Sequence, residues 1–100
     1  PEVRQCSALG KSLKARQADA KAKAETRESL LIDVEAAGDV WEEAEEERLF
    51  SKDHASKADT TKATYETLKA DLLQEELVLQ DLVSRINQDV ARYNRLCVKD

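Results

Sequence analysis

One proline, at position 1, and two glycines leave this 100-residue chain almost without the punctuation that strands and tight turns require. Aromatics make up 4% of it, and no run of about 18 apolar residues exists that could span a bilayer. No apolar stretch follows the N-terminus in the manner of a signal peptide, and Pro1 in place of a starting Met points to an excised or processed segment. Two cysteines are too few for a zinc site, and the lone His54 has no Cys or Asp/Glu cluster at ligand spacing. Paired carboxylates in a cleft, a Ser/His/Asp set and a Gly-rich phosphate loop are all missing. The expectation is a non-enzymatic chain with no cofactor, no metal and no small-molecule substrate.

Ala, Leu, Glu, Lys, Gln and Arg, the residues that lose least on entering a helix, dominate what is there. Charged residues at 37% with few aromatics would suit disorder, but the 41% of apolar residues recur with a period, which argues for folded helix. A net charge of −5 and a pI near 5.0 disfavour nucleic-acid binding, which calls for a basic patch against phosphates. The charge is banded: +3 over residues 1–30, −7 over 31–50, +1 over 51–70 and −2 over 71–100.

Apolar or small residues fall at Val3, Cys6, Leu9, Leu13, Ala20, Ala24, Leu31, Val34, Ala37, Trp41 and Ala44, in steps of three, four or seven that trace one helical stripe. A second stripe sets Tyr65, Leu72, Leu79, Ile86 and Tyr93 seven apart, with Leu68, Leu82 and Leu96 three beyond the first, third and fifth of them. This is a heptad seam of the kind that packs on another helix. Glu75 and Asp89 take the remaining seam positions, so the seam is either locally wet or shifts onto Glu76, Val83 and Val90.

Between the stripes lies LFSKDHASKAD, in which Ser51, Asp53 and Ser56 are all candidate helix N-caps. The reading is a single all-α hairpin over 1–100: a helix about 3–49, a turn about 51–56 and a helix about 57–98. A continuous helix is the alternative. Reversal near residue 52 puts positions whose numbers sum to about 103 opposite one another, which pairs Cys6 with Cys97, Leu13 with Val90, Ala20 with Val83, Ala24 with Leu79 and Leu31 with Leu72. Small residues in the first helix thereby meet large ones in the second.

The expected packing seam is Leu13, Leu31, Val34, Trp41, Tyr65, Leu68, Leu72, Leu79, Leu82, Ile86 and Tyr93. Leu73, Leu77, Val78 and Val83 cover more of the second helix than one partner can bury, and they form a candidate partner face. That surplus points to a third helix or to a homo- or heterodimer, and to a chain that is part of a larger bundle. WEEAEEER reads as a solvated acidic face with Trp41 and Ala44 turned inward. Lys52, Lys57 and Lys62 make a basic turn that could touch anionic lipid. Cys6 and Cys97 could form a disulfide, but the preferred reading is two reduced thiols acting as small hydrophobes.

The segment DLVSRINQDVARYNRLCVKD, with Asp89, Val90, Arg92 and Tyr93 in an acidic–Val–X–Arg–aromatic pattern and Lys99–Asp100 at its end, resembles the last long helix of BAR domains in sorting nexins. ERLFSKDHASKADTTKATYETL is similar to the tip between the second and third helices of that family. The resemblance covers about residues 40–100; the first forty match only in helical character. It implies part of a dimeric, curved bundle that senses or generates curvature on endosomal membranes during protein sorting. Lys52, Lys57 and Lys62 would then be tip contacts with anionic or phosphoinositide-containing lipid, and the location would be cytoplasmic and peripheral. The chain departs from the family in lacking a PX domain and a first BAR helix, in a short third helix and in its acidic balance. Two readings compete with it: a disulfide-pinned extracytoplasmic stalk, and a plain coiled-coil adaptor that binds a protein.

Overall fold

The computed structural model describes residues 3–98. Pro1, and the Lys99 and Asp100 that close the family-like motif, lie outside the described residues. Two helices, α1 (Val3–Glu46) and α2 (Lys52–Cys97), are joined by a short 3₁₀ turn, Arg48–Phe50, and form an all-α helical hairpin.

The reversal comes earlier than the sequence suggested. Residues 48–50 form the 3₁₀ turn in place of a last turn of α1, and α2 begins at Lys52, five residues before the expected start at 57. Of the three candidate caps, Ser51 takes the role. Its backbone is extended, and its Oγ accepts the His54 backbone N–H at 3.1 Å, satisfying one of the donors a helix start leaves open. Asp53 lies in the first turn of α2, where a negative charge suits the helix dipole. No described residue has a positive φ, so neither glycine is needed to reverse the chain. In the threonine-rich start of α2, which is helical, Thr60, Thr61 and Thr64 donate their hydroxyls to the carbonyls of Ser56, Lys57 and Thr60.

Packing divides the chain into two compact units. The first comprises residues 1–25 and 77–100. Leu13 and Ile86 are its buried apolar residues, and the Cys6–Cys97 disulfide closes it, with a Cα separation of 5.6 Å. Free thiols were the expectation at these positions, and the bond corrects it. The antiparallel register sets the two Cα atoms inside the 4.4–6.8 Å range that a disulfide can bridge. Asp89 sits half-buried on the seam and accepts a hydrogen bond from Arg16 at 2.7 Å, which is how a carboxylate is tolerated there. Tyr93 lies over Gly10.

The second unit is residues 26–76, with Val34, Ala44 and Ala58 buried. Glu76 receives Arg27 at 3.1 Å; Glu75 and Glu76 are both half-buried, while Val83, the next position of the shifted register, is exposed, so the seam is locally wet and does not shift as a whole. Trp41 stacks on Tyr65 with ring centroids 5.5 Å apart, and Tyr65 lies over Gly38. All eleven expected seam residues are buried or half-buried. Ala24 and Val83 are the exceptions among the paired positions, Val83 being the expected partner of Ala20. Both are exposed, Ala24 with the half-buried Lys23 and Arg27 to either side.

The two glycines respond differently to a methyl group. A Cβ at Gly10 would sit 3.6 Å from the Tyr93 ring, an ordinary contact, whereas one at Gly38 would sit 3.1 Å from Tyr65, whose ring is held by Trp41. Gly10→Ala should therefore stabilise by about 1 kcal/mol, the usual helix preference for alanine. Gly38→Ala should lose most or all of that gain to crowding. Urea unfolding of the two variants checks the ordering.

Candidate functional site

Three surfaces could do work: the turn, the aromatic cluster next to it, and a flank of α2. At the turn, Arg48 is fixed. Its Nε and Nη2 donate to the two Glu45 carboxylate oxygens at 2.9 and 3.0 Å, and Nη2 also reaches Asp59 at 2.7 Å. The hydrogen bond from Arg48 holds the Glu45 carboxyl below its usual range, and the two carboxylates hold Arg48 above its own. The lowered carboxyl adds stability that is present above the ordinary carboxylate pKa and lost as pH falls through the lowered one. The pair is solvent-screened, which keeps the effect small.

Ser51 Oγ also lies 2.6 Å from His54 Nδ1. With the ring proton on Nε2 the hydroxyl donates to Nδ1, and Nε2 then points toward Glu47 at 3.9 Å. Phe50 meets the His54 ring edge-on at 5.5 Å. These contacts set a rigid frame around two uncovered side chains, Leu49 at 95% exposure and Phe50 at 72%. Sequence reading passed over this pair. The signal was two large apolar residues beside three candidate caps, a place where neither can be buried.

The three turn lysines are not equivalent. Lys52 and Lys57 are exposed, while Lys62 places its Nζ 5.9 Å from the centre of the Trp41 ring in a cation–π contact. Lys69 sits likewise over Tyr65 at 5.1 Å. Trp41 Nε1 is buried and lacks a hydrogen-bond partner, although the indole stands close enough to Glu45 to contribute to its lowered pKa. Trp41 and Ala44 face inward, and Glu42, Glu43, Glu45 and Glu46 face solvent, with Glu47 half-buried.

On α2, Leu73, Leu77, Val78 and Val83 are 58%, 53%, 39% and 40% exposed, which leaves the surplus face uncovered in this chain. The four do not form one face. At 100° per residue Leu73 and Val83 fall on one side of the seam, Val78 on the other, and Leu77 opposite it. In the unit that contains residues 77–100, an open groove of ≈ 780 Å³ runs along the first side, lined by Leu79, Gln80, Val83, Ser84, Asn87 and Ala91 among others. Its lining comes from α2 alone and includes the amide side chains of Gln80, Asn87 and Gln88. No helix of the described residues is long and apolar enough to cross a membrane.

The charge of each unit is lopsided. Residues 1–25 with 77–100 hold ten Lys/Arg against six Asp/Glu, a net of +4, whereas residues 26–76 hold six against fifteen, a net of −9. Comparison of the chain with protein-family models, with curated proteins and with solved structures finds no match in any of the three.

Proposed function

We propose that this chain is a disulfide-pinned helical stalk that acts outside the cytoplasm, docking a protein through its exposed helix faces and carrying out no chemistry of its own. The observation behind the reading is the Cys6–Cys97 bond, which joins the two ends of the hairpin across 91 residues. Disulfides form and persist in oxidising compartments and are rare in the cytosol. They are most needed where a fold builds little core, and a pair of helices encloses only five described apolar residues below one-tenth exposure. Alkylation of the protein taken from its native source, under denaturing conditions, tests the reading. No label is expected before reduction and two labels after it; two labels without reductant would place the chain in a reducing compartment and end the proposal.

A second reading, as a sorting-nexin-like BAR segment at endosomal membranes, draws on the family resemblance and on the exposure of Lys52 and Lys57 beside Leu49 and Phe50. Against it stand the net −9 of residues 26–76 and the engagement of Lys62 by Trp41. Co-sedimentation with phosphatidylserine vesicles that is lost in Lys52→Glu/Lys57→Glu would favour it.

A further inference from the structure

We infer that the partner of the exposed α2 flank is a second copy of this chain, bound reciprocally so that the +4 unit of each copy lies against the −9 unit of the other. This rests on the reading of the chain as a docking module and names its partner; it does not depend on the compartment. Two observations carry it. The first is charge. Two copies of net −5 repel on average, and an arrangement that sets like units together adds +4 against +4 and −9 against −9. The reciprocal arrangement places opposite signs face to face at both contacts and is closed, with the same surfaces used by both copies, whereas a head-to-tail one does so once per pair and stays open.

The second is that each unit exposes apolar side chains of its own. Leu77, Val83 and the groove beside Leu79 serve the basic unit, and Ile32, Val40 and Leu73 serve the acidic one, at 59%, 50% and 58% exposure. Apolar contact supplies the affinity. Charge selects the arrangement, because at physiological salt it is screened beyond about 8 Å and acts only between surfaces already close. The groups available on the basic unit are the exposed Lys11, Lys14 and Lys21, and on the acidic one the exposed Glu42, Glu43 and Glu46. None of the six has a hydrogen bond or ion pair that would be broken within the chain.

The test is sedimentation equilibrium of the oxidised protein over about 0.05–0.5 M NaCl, together with two variants. One reverses the basic unit from +4 to −2 (Lys11→Glu, Lys14→Glu, Lys21→Glu), and the other cuts the acidic unit from −9 to −3 (Glu42→Lys, Glu43→Lys, Glu46→Lys). The wild type should dimerise and weaken with salt, and each variant alone should dimerise at least about tenfold more weakly. An equimolar mixture of the two variants should form a heterodimer, since the glutamates introduced into one copy meet the lysines introduced into the other. Circular dichroism at 222 nm confirms that each variant remains helical, and Leu77→Glu, on the exposed flank, should abolish the dimer without loss of helicity. A wild type that stays monomeric at high concentration overturns the inference. So does a dimer that is indifferent to both charge reversals, or a mixture that pairs no better than the variants alone. Thiol labelling and sedimentation report on different claims, so either can fail without the other.

Discussion

Reduction of the Cys6–Cys97 bond should lower the unfolding free energy by about 4–5 kcal/mol, the entropy of closing a loop on the order of 100 residues in the unfolded chain. The bond spans 91 residues, nearly the whole sequence, so it constrains the unfolded state almost as strongly as one bond in this chain can. Natural domains hold only about 5–15 kcal/mol in total, and a two-helix fold with so few buried residues belongs at the low end. A fall of ~20 °C or more in the thermal midpoint is therefore expected, at about 4–8 °C per kcal/mol for a domain of this size. Helicity at 222 nm, followed with and without reductant, measures it directly; the Cys6→Ser/Cys97→Ser variant gives the same comparison without added thiol. A shift under about 1 kcal/mol, well below the loop-closure value, would mean that the reduced chain keeps its ends together by other means.

Truncation of Ile86 to Ala should cost about 2–5 kcal/mol, the usual range for a buried large-to-small change. Ile86 is 5% exposed, in a unit whose only other buried apolar residue among those described is Leu13. The vacated space has few neighbours able to close over it. Leu73→Ala is the matched comparison, because the same kind of truncation at 58% exposure should move stability by no more than about 0.5 kcal/mol. Urea midpoints of the two variants at a concentration where the chain is monomeric provide the measurement. Similar losses in both would show that α2 buries its Leu73 flank and its Ile86 flank alike.

Much of this was readable from residue spacing. The rule that opposite positions sum to about 103 holds at Cys6 with Cys97, Gly10 with Tyr93, Arg27 with Glu76, and Trp41 with Lys62. It held although the turn was placed several residues late. Helix register is set by side-chain stripes repeated over many turns, whereas the boundary depends on which of three neighbouring caps wins, and that is a matter of about 1 kcal/mol. The disulfide was legible in position but not in state, because the sequence alone does not specify a redox compartment. The surplus face was seen as one surface where there are two, since hydrophobic content was weighed without the 140° that separates Val78 from Val83 around the helix. Two features went unread altogether: the exposed Leu49–Phe50 pair, and the net charge of each packed unit, which appears only once residues distant in sequence are brought together.

The glycines offered the strongest signal of all. Gly10 and Gly38 are 28 residues apart, and so are Tyr65 and Tyr93, so each ring finds its own notch in the antiparallel register. Heptad seams are degenerate, because sliding one helix by seven residues restores the same stripe of leucines. Here such a slip in one direction would set Tyr65 against Glu45 and Tyr93 against Gln17, and in the other against Leu31 and Val3. In either case both rings meet a full side chain where each had met none. The two notches work as a vernier: they leave the packing chemistry of the repeat unchanged, yet only one alignment of the helices lets both tyrosines seat at once.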